Sequence, residues 1–180
     1  MKYIRLFENF DSYDPYELMM IPPYKKTEMI IEEIEKKGKA NLNLVRDLIT
    51  LGADLELIDK YGKTVLHVCA SNNHPEILRM LIDAGADVNQ KYNNGSTALH
   101  DCARLNNPEI ARMLIDAGAD VNVQNNYGYT PLHYCTYPID SIELTQMLID
   151  AGADKTIPND NGRLPYELAS SQELKELLKP

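Results

Sequence analysis

The chain has 180 residues and a formal net charge of −9, with 44% hydrophobic and 25% charged side chains. A hydrophobic share of this size is ordinary for a folded domain. The acidic balance argues against binding to nucleic acid or to an anionic membrane, since both need basic patches, and it is compatible with a basic partner. No apolar run approaches the ~20 residues that span a bilayer, and Glu8 and Asp11 interrupt any apolar signal segment. We therefore expect a cytoplasmic protein.

Residues 1–24 form an extension rich in aromatic side chains, with both phenylalanines of the chain and four of its tyrosines. Asp14-Pro15-Tyr16-Glu17 predicts a helix start, with Asp at N-cap, Pro at N1 and Glu at N3. Ile21-Pro22-Pro23 predicts the end of that helix. Two hypotheses stay open for the extension. It either covers the apolar end of the units that follow or serves as a docking peptide for a partner.

Residues 25–57 contain two apolar helix patterns. Met29, Ile30 and Ile34 predict one helix that ends near Gly38, and the apolar residues from Leu42 to Ile49 predict a second. Gly52-Ala53-Asp54 follows the second helix. We interpret this segment as a degenerate first unit, because it lacks the helix-start motif of the later ones.

Three fuller units follow at 58–90, 91–123 and 124–157, and the middle one is the most regular. It opens with Asn93-Asn94-Gly95, a turn signal, because Asn and Gly tolerate the positive φ that tight hairpin turns require. Thr97-Ala98-Leu99-His100 then predicts a helix start with a capping Thr. Pro108 begins a second helix after Asn106-Asn107, and Gly118 ends it as a left-handed C-cap.

The pattern recurs at a fixed period. Successive Gly-Ala-Asp motifs are 33, 33 and 34 residues apart, and the hairpin glycines follow the same steps. These two sets are Gly52, Gly85, Gly118 and Gly152, and Gly62, Gly95, Gly128 and Gly162. Thr64-Val65-Leu66-His67 and Thr130-Pro131-Leu132-His133 occupy the helix-start slot of the other units. In spacing, turn and helix start, residues 27–180 resemble the ankyrin-repeat family.

The resemblance implies an all-α fold, a solenoid of stacked helix-turn-helix units with β-turn tips, with the ankyrin-repeat domain at 25–180. The unit at 124–157 has one extra residue, near Tyr137-Pro138-Ile139-Asp140. The segment at 158–180 reads as a C-terminal cap, with Leu164 and Glu167 in the Thr and His slots. Ser170 and Glu173 predict a capping box for its last helix.

Three cysteines, Cys69, Cys102 and Cys135, lie 33 residues apart in one slot. Stacked units lie about 10 Å apart, whereas a disulfide needs Cα atoms within about 7 Å. In the resembled family this slot holds a small buried residue, so we expect three free, buried thiols. We expect neither a metal nor a redox site, since stacked equivalents do not converge on one ion.

Histidines and aspartates also recur in fixed slots. In the resembled family this histidine forms hydrogen bonds near the helix start and couples neighbouring repeats, which we expect of His67, His100 and His133. His74 precedes Pro75 in a helix–helix turn and is also expected to be structural. The aspartates of the Gly-Ala-Asp motifs are expected to bond the backbone of their own turns, and these are Asp54, Asp87, Asp120 and Asp154.

The positions that the family's fold leaves available to a partner are the hairpin tips and the exposed side of each first helix, which together form a concave strip. We name these positions the recognition strip, and in this chain they are Lys60, Tyr61, Lys63, Asn93, Asn94, Asp101, Arg104, Leu105, Tyr127, Tyr129, Tyr134, Tyr137 and Arg163. Tyrosine and arginine are frequent binding hot spots. The plainer hypothesis is that the tip residues are only solvated.

The chain carries no Gly-rich phosphate loop, nucleophile elbow or metal-binding helix motif, so we expect neither catalysis nor a cofactor. The predicted function is protein–protein interaction by a monomeric adaptor that binds a protein partner of unknown identity, and neither nucleic acid nor membrane. The alternative is an inhibitor or regulator of an enzyme or effector that uses the N-terminal extension.

Overall fold

The computed structural model describes residues 14–36, 39–136 and 141–180. These residues form eleven helices and no strand, which confirms the predicted all-α fold. In chain order the helices are α1 (Pro15–Met19), α2 (Pro23–Glu35), α3 (Leu42–Thr50), α4 (Val65–Asn72), α5 (Pro75–Asp83), α6 (Ala98–Leu105), α7 (Pro108–Asp116), α8 (Pro131–Tyr134), α9 (Ile142–Asp150), α10 (Pro165–Leu168) and α11 (Gln172–Leu178).

From α2 onward the helices stack as five pairs. The first helix of each pair packs on the first helix of the next, which gives an inner layer of α2, α4, α6, α8 and α10. The second helices pack on one another in the same way and give an outer layer of α3, α5, α7, α9 and α11. Each pair contacts its neighbours along the stack, as in a solenoid.

The apolar core lies between the two layers and is continuous along the stack. In the central pair, Leu99 and Cys102 of α6 face Ile110 and Leu114 of α7 across this core, and all four are fully buried. Truncating a buried leucine or isoleucine to alanine typically costs about 2–5 kcal/mol. The core therefore fixes the inner helices, and it thereby fixes the hairpin tips that directly precede them.

Helix ends follow from two residue types. Gly118 ends α7 with φ +89°, and the next residue, Ala119, donates its N–H to the carbonyl of Leu114 at 2.9 Å, the pattern of a Schellman cap. The predicted left-handed C-cap is confirmed. Asn73 and Asn106 end α4 and α6 with φ of 57° and 54°, because Asn tolerates the left-handed region better than other non-glycine residues.

The start of α1 is confirmed, since the Asp14 side chain accepts the N–H of Tyr16 at 2.9 Å. Leu18 and Ile21 are buried in the core cluster, whereas Met19 and Met20 are exposed. The next helix, α2, begins at Pro23. Pro22 and Pro23 end one helix and also begin another, with Pro23 at N1, where a missing N–H costs nothing.

Two predicted features fall outside the described residues. They are Gly38, near which the first helix of residues 25–57 is predicted to end, and the extra residue near 137–140. The phenylalanines of residues 1–13 also lie outside the described residues. The predicted capping box at Ser170 is wrong by one residue. Ser171 is the N-cap of α11, and its hydroxyl accepts the N–H of Leu174 at 3.2 Å.

Candidate partner-binding surface

The hairpin tips are tight four-residue turns that precede the inner helices. In the turn at 92–95 the N–H of Gly95 donates to the carbonyl of Tyr92 at 2.8 Å, and the turns ending at Gly62, Gly128 and Gly162 close in the same way. Glycine is the residue with positive φ in all four turns, from 73° to 78°. None of the tip asparagines has positive φ, so glycine alone meets this requirement in the tips.

The tips are joined to one another by a ladder of backbone hydrogen bonds. The N–H of Asn93 donates to the carbonyl of Tyr61 at 3.0 Å, and that of Asn126 donates to the carbonyl of Asn94 at 2.9 Å. The N–H of Asp160 continues the ladder to the carbonyl of Tyr127 at 3.1 Å. Backbone bonds therefore run along the whole row of tips, and side chains project from a fixed frame.

This ladder brings neighbouring tips so close that a side chain does not fit at Gly62, Gly95 or Gly128. A Cβ atom on Gly95 would lie 2.3 Å from Oδ1 of Asn126 and 2.8 Å from its backbone nitrogen. The asparagines use the same proximity to bond across tips, since Nδ2 of Asn126 donates to the carbonyl of Asn93 at 3.1 Å. Asn at these positions thus couples neighbouring units.

The structure places the recognition strip in three environments. The exposed members are Lys60, Tyr61, Asn93, Arg104, Leu105, Tyr127 and Arg163. The half-buried members are Lys63, Asn94, Tyr129 and Tyr134. Asp101 is buried, and Tyr137 lies outside the described residues.

The expectation that Asp101 is available on the surface is wrong. Its carboxylate accepts hydrogen bonds from Lys63 at 2.8 Å, from the hydroxyls of Ser71 and Tyr92 at 3.2 Å each, and from Arg104 at 3.4 Å. Burial alone would raise the pKa of Asp101, but the Lys63 hydrogen bond and charge, with help from Arg104 and Ser71, lower it instead. Asp101 is therefore an ionised link between two units.

Tyr134 and Tyr129 are half-buried members of the recognition strip, and their rings pack against other side chains. The hydroxyl of Tyr134 accepts from Nδ2 of Asn125 at 3.0 Å, and its ring lies 5.6 Å from that of Tyr129 and 5.8 Å from that of His100, between centroids. Burial raises the pKa of Tyr134. The Tyr134 ring therefore reaches the preceding unit, whereas the Tyr129 ring packs within its own unit, and only part of each side chain faces solvent.

The repeated histidines cap the inner helices and couple units, as predicted. Nδ1 of His100 accepts the backbone N–H of Thr97 at 3.1 Å, so the ring proton must lie on Nε2. Nε2 then donates to the carbonyl of Tyr129 in the next unit at 3.0 Å. His133 makes the equivalent bonds to Thr130 and Arg163. Burial lowers the pKa of His100 to about 4 and also lowers that of His133.

His67 and His74 complete the set. Nδ1 of His67 accepts the N–H of Thr64 at 3.2 Å, whereas among the described residues its Nε2 has no hydrogen-bond partner and its ring meets that of Tyr92 edge-on at 5.3 Å between centroids. Burial lowers the pKa of His67. Nε2 of His74 bonds the carbonyl of Ile34 in the preceding unit at 2.9 Å, which confirms its structural role.

All three cysteines are buried and unpaired, as predicted. Burial raises the pKa of each thiol, to about 12 in Cys135 and further in Cys69 and Cys102. A thiol with a raised pKa is a poor nucleophile, because the thiolate is the reactive form. These side chains act as small core residues.

The turn aspartates behave as predicted, since Oδ1 of Asp120 accepts the N–H of Asn122 two residues on at 2.8 Å, and Asp54, Asp87 and Asp154 do the same. Sequence reasoning missed the asparagine itself. The side chain of Asn89 donates to the carbonyl of Gly118 at 3.1 Å and accepts the N–H of Asp120 at 2.8 Å. Asn122 repeats both bonds one unit later. The 33-residue spacing of Asn89 and Asn122 was the available signal.

Two further properties concern the described part of the chain only. It holds no group of three or more His, Cys, Asp or Glu side chains arranged to bind a metal ion. None of its helices is both long and apolar enough to cross a bilayer.

Stacked helix pairs joined by hairpins, with side chains presented along a row of tips, define a repeat protein of the solenoid class. The family described as "Ankyrin repeats (3 copies)" matches residues 34–125, and "Ankyrin repeat" matches residues 127–160. The chain belongs to the ankyrin-repeat family.

A stretch of 36 residues is also 47% identical to NF-kappa-B inhibitor zeta from Bos taurus. That stretch is 20% of this chain and 5% of the bovine protein, about the length of one repeat.

Proposed function

We propose that this chain is a non-catalytic recognition module, an adaptor that binds a protein partner through the recognition strip. The observation that carries this proposal is the backbone ladder that fixes the tips while Tyr61, Tyr127 and Arg163 remain exposed. A preorganised surface loses little conformational entropy on binding. The proposal includes a monomeric state and a cytoplasmic location, and excludes nucleic acid and membranes as partners.

The test is a pull-down from a lysate of the source cells with three baits. The first is the wild type, and the second is a strip variant with Tyr61→Ala, Tyr127→Ala and Arg163→Ala. The third is an outer-surface control with Arg79→Ala, Arg112→Ala and Gln146→Ala, all exposed residues of the outer layer. Tyr129 is left intact because its ring packs on that of His133 at 5.3 Å between centroids.

We expect a protein that the wild type and the outer-surface control capture and the strip variant loses, with all three baits matched in melting temperature. Equal capture by all three baits would contradict the strip as the binding surface. Loss with the outer-surface control alone would move the site to the outer helices.

A second candidate function is inhibition or regulation of an enzyme or effector through the N-terminal extension. Two observations favour it: Tyr16, Met19 and Met20 are largely exposed beside the buried Leu18, and the bovine relative is an inhibitor by name. A chain that begins at Asp14 keeps Leu18 and Ile21 and lacks the phenylalanines. If this chain binds the captured partner but no longer inhibits it, residues 1–13 of the extension are the inhibitory element.

A further inference from the structure

One hairpin tip departs from the others in a way that affects the recognition strip. Three tips begin with Asp59, Asn125 or Asn159, whose Oδ1 accepts two backbone N–H groups of its own turn at 2.7–3.1 Å. The remaining tip has Tyr92 in this slot, which has no short acceptor to offer. Its hydroxyl instead donates to Asp101 at 3.2 Å. Oδ1 of Asn94 accepts the N–H of Ser96 at 2.9 Å in its place, so the hairpin gives up one local bond, and such departures from local consistency concentrate at functional sites.

The slot of Asp101 is also exceptional within the chain. Its equivalents after the other repeated histidines and after Glu167 are Val68, Tyr134 and Leu168. A buried carboxylate therefore occurs in one inner helix only among these four equivalent positions. Burying a charge is costly unless it is paired, so the buried carboxylate of Asp101 depends on the cations around it.

Two cations share this one carboxylate. Lys63 donates to Oδ2 at 2.8 Å, and its ammonium lies 4.7 Å from the centroid of the Tyr92 ring. Arg104 contacts Oδ1 at 3.4 Å, through one of its five N–H donors, and its side chain is 46% exposed. Lys63 is sufficient to balance Asp101, so the charge of Arg104 remains available at the surface.

The sign of the charge here is opposite to that of the whole chain. The hairpins and inner helices at 59–72 and 92–105 carry Lys60, Lys63 and Arg104 against Asp59 and Asp101, although the chain has a net charge of −9. The exposed carboxylates that outweigh them lie on the outer helices and the loops after them, for example Asp83, Asp87, Asp116, Asp120, Asp150 and Asp154. The expectation of a basic partner from net charge therefore does not apply to this part of the strip.

We propose that this part of the strip binds an acidic side chain, Asp or Glu, in a segment of the protein partner. The guanidinium of Arg104 donates to that carboxylate, while Lys63 keeps Asp101 balanced. The next residue, Leu105, is 39% exposed and offers an apolar contact to a residue beside the acid. This inference rests on the proposed function and adds the chemistry of the partner.

The test starts from phage-displayed random twelve-residue peptides selected on the full chain, and it does not depend on the natural partner. The most enriched peptide is then synthesised in three forms, with its acidic residue retained, replaced by Gln, or replaced by phosphoserine. The Kd of each is measured with the wild type, with Arg104→Gln, and with Arg112→Gln, a control at an exposed arginine of α7.

We expect the selected peptides to share an Asp or Glu next to an apolar residue. With the wild type and Arg112→Gln, replacing the acid by Gln should weaken binding about tenfold or more, the usual effect of losing a charge-assisted hydrogen bond. With Arg104→Gln the same replacement should change the Kd less than about twofold, because the two groups would no longer be coupled.

Peptides without a shared acid, equal affinity of the acid and Gln forms, or the same ratio with Arg104→Gln would each overturn the inference. A phosphoserine form that binds far more tightly than the carboxylate would overturn it in favour of phosphate recognition. Selection of no peptide would overturn recognition of a short acidic segment. In all these cases the pull-down still decides whether the strip binds a protein, so the two proposals fail separately.

Discussion

The buried histidines are the residues whose protonation the fold opposes most directly. His100 accepts an N–H at Nδ1 and donates from Nε2, so both ring nitrogens are committed in the neutral form. Protonating Nδ1 would place two donors face to face. Together with burial, this keeps His100 neutral to a pH well below its ordinary pKa of 6.5.

Stability should therefore fall with acid between pH 6.5 and pH 4. The unfolded chain binds a proton at His100 near pH 6.5, and the folded chain does so only near pH 4, so protons favour unfolding within this window. The expected loss from His100 is about 2 kcal/mol at pH 5 relative to pH 7.5. Urea unfolding at the two pH values measures it, and His100→Gln should show a smaller pH effect. An unchanged unfolding free energy at pH 5 would contradict the assignment.

Cys102 tests the core at the level of one side chain. It is fully buried between α6 and α7, so Cys102→Asp would bury a carboxylate without a partner. We expect Cys102→Asp to cost about 3 kcal/mol or more and Cys102→Ala about 1 kcal/mol, both measured by urea unfolding. A melting temperature of Cys102→Asp equal to that of the wild type would show that the slot reaches water.

At the scale of the element, the hairpin turns need glycine for two separate reasons, a positive φ and the close approach of the next tip. Gly95 and Gly162 have nearly equal φ, 78° and 74°. A Cβ on Gly95 would collide with Asn126, whereas a Cβ on Gly162 would meet nothing within 4 Å. Within the described residues no tip packs on that of Gly162, so the pair separates backbone strain from close packing.

We expect Gly162→Ala to destabilise by about 1–2 kcal/mol, the cost of a left-handed alanine. Gly95→Ala should cost at least about 1 kcal/mol more, because the tip of Asn126 must also move. Denaturant unfolding of the two variants gives the difference directly. Equal losses of unfolding free energy would show that Asn126 can move away at little cost. The recognition strip would then be less rigid than the proposed function requires.

Most elements were predictable because their signals are local and periodic. Pro108 and Gly118 mark the ends of α7 in the sequence as they do in the structure. Pro22-Pro23 was harder, since proline both ends and begins helices, and the choice depends on what the next residues bury. Asp101 could not be placed from its slot, because its burial depends on Lys63, 38 residues away in another unit.

At the scale of the whole molecule, the two ends of the described stack bury apolar side chains in different ways. A solenoid leaves an apolar face at each terminus unless something covers it. At the C-terminal end α11 buries Leu174 and Leu178 and exposes Glu173, Lys175 and Glu176. At the N-terminal end the described part of the extension buries Leu18 and Ile21.

The cap and docking hypotheses for this segment differ in what the segment stabilises, either the folded chain itself or a complex with a partner. A cap stabilises the chain by itself, so removing Leu18 and Ile21 should loosen the fold. A docking peptide stabilises a complex, so its exposed side chains should matter to a partner and not to folding. Leu18 and Ile21 face the core while Met19 and Met20 are 60% and 85% exposed, so adjacent residues report on the two roles separately.

We expect Leu18→Ala with Ile21→Ala to lower the unfolding free energy by roughly 3 kcal/mol or more, because two nearly complete apolar burials are lost. Met19→Ala with Met20→Ala should change it by less than about 0.5 kcal/mol, as exposed positions do. Urea unfolding of both double variants beside the wild type makes the comparison. If the first pair unfolds at the wild-type urea concentration, the segment does not hold the stack closed, and its apolar residues are then better explained as contacts for a partner.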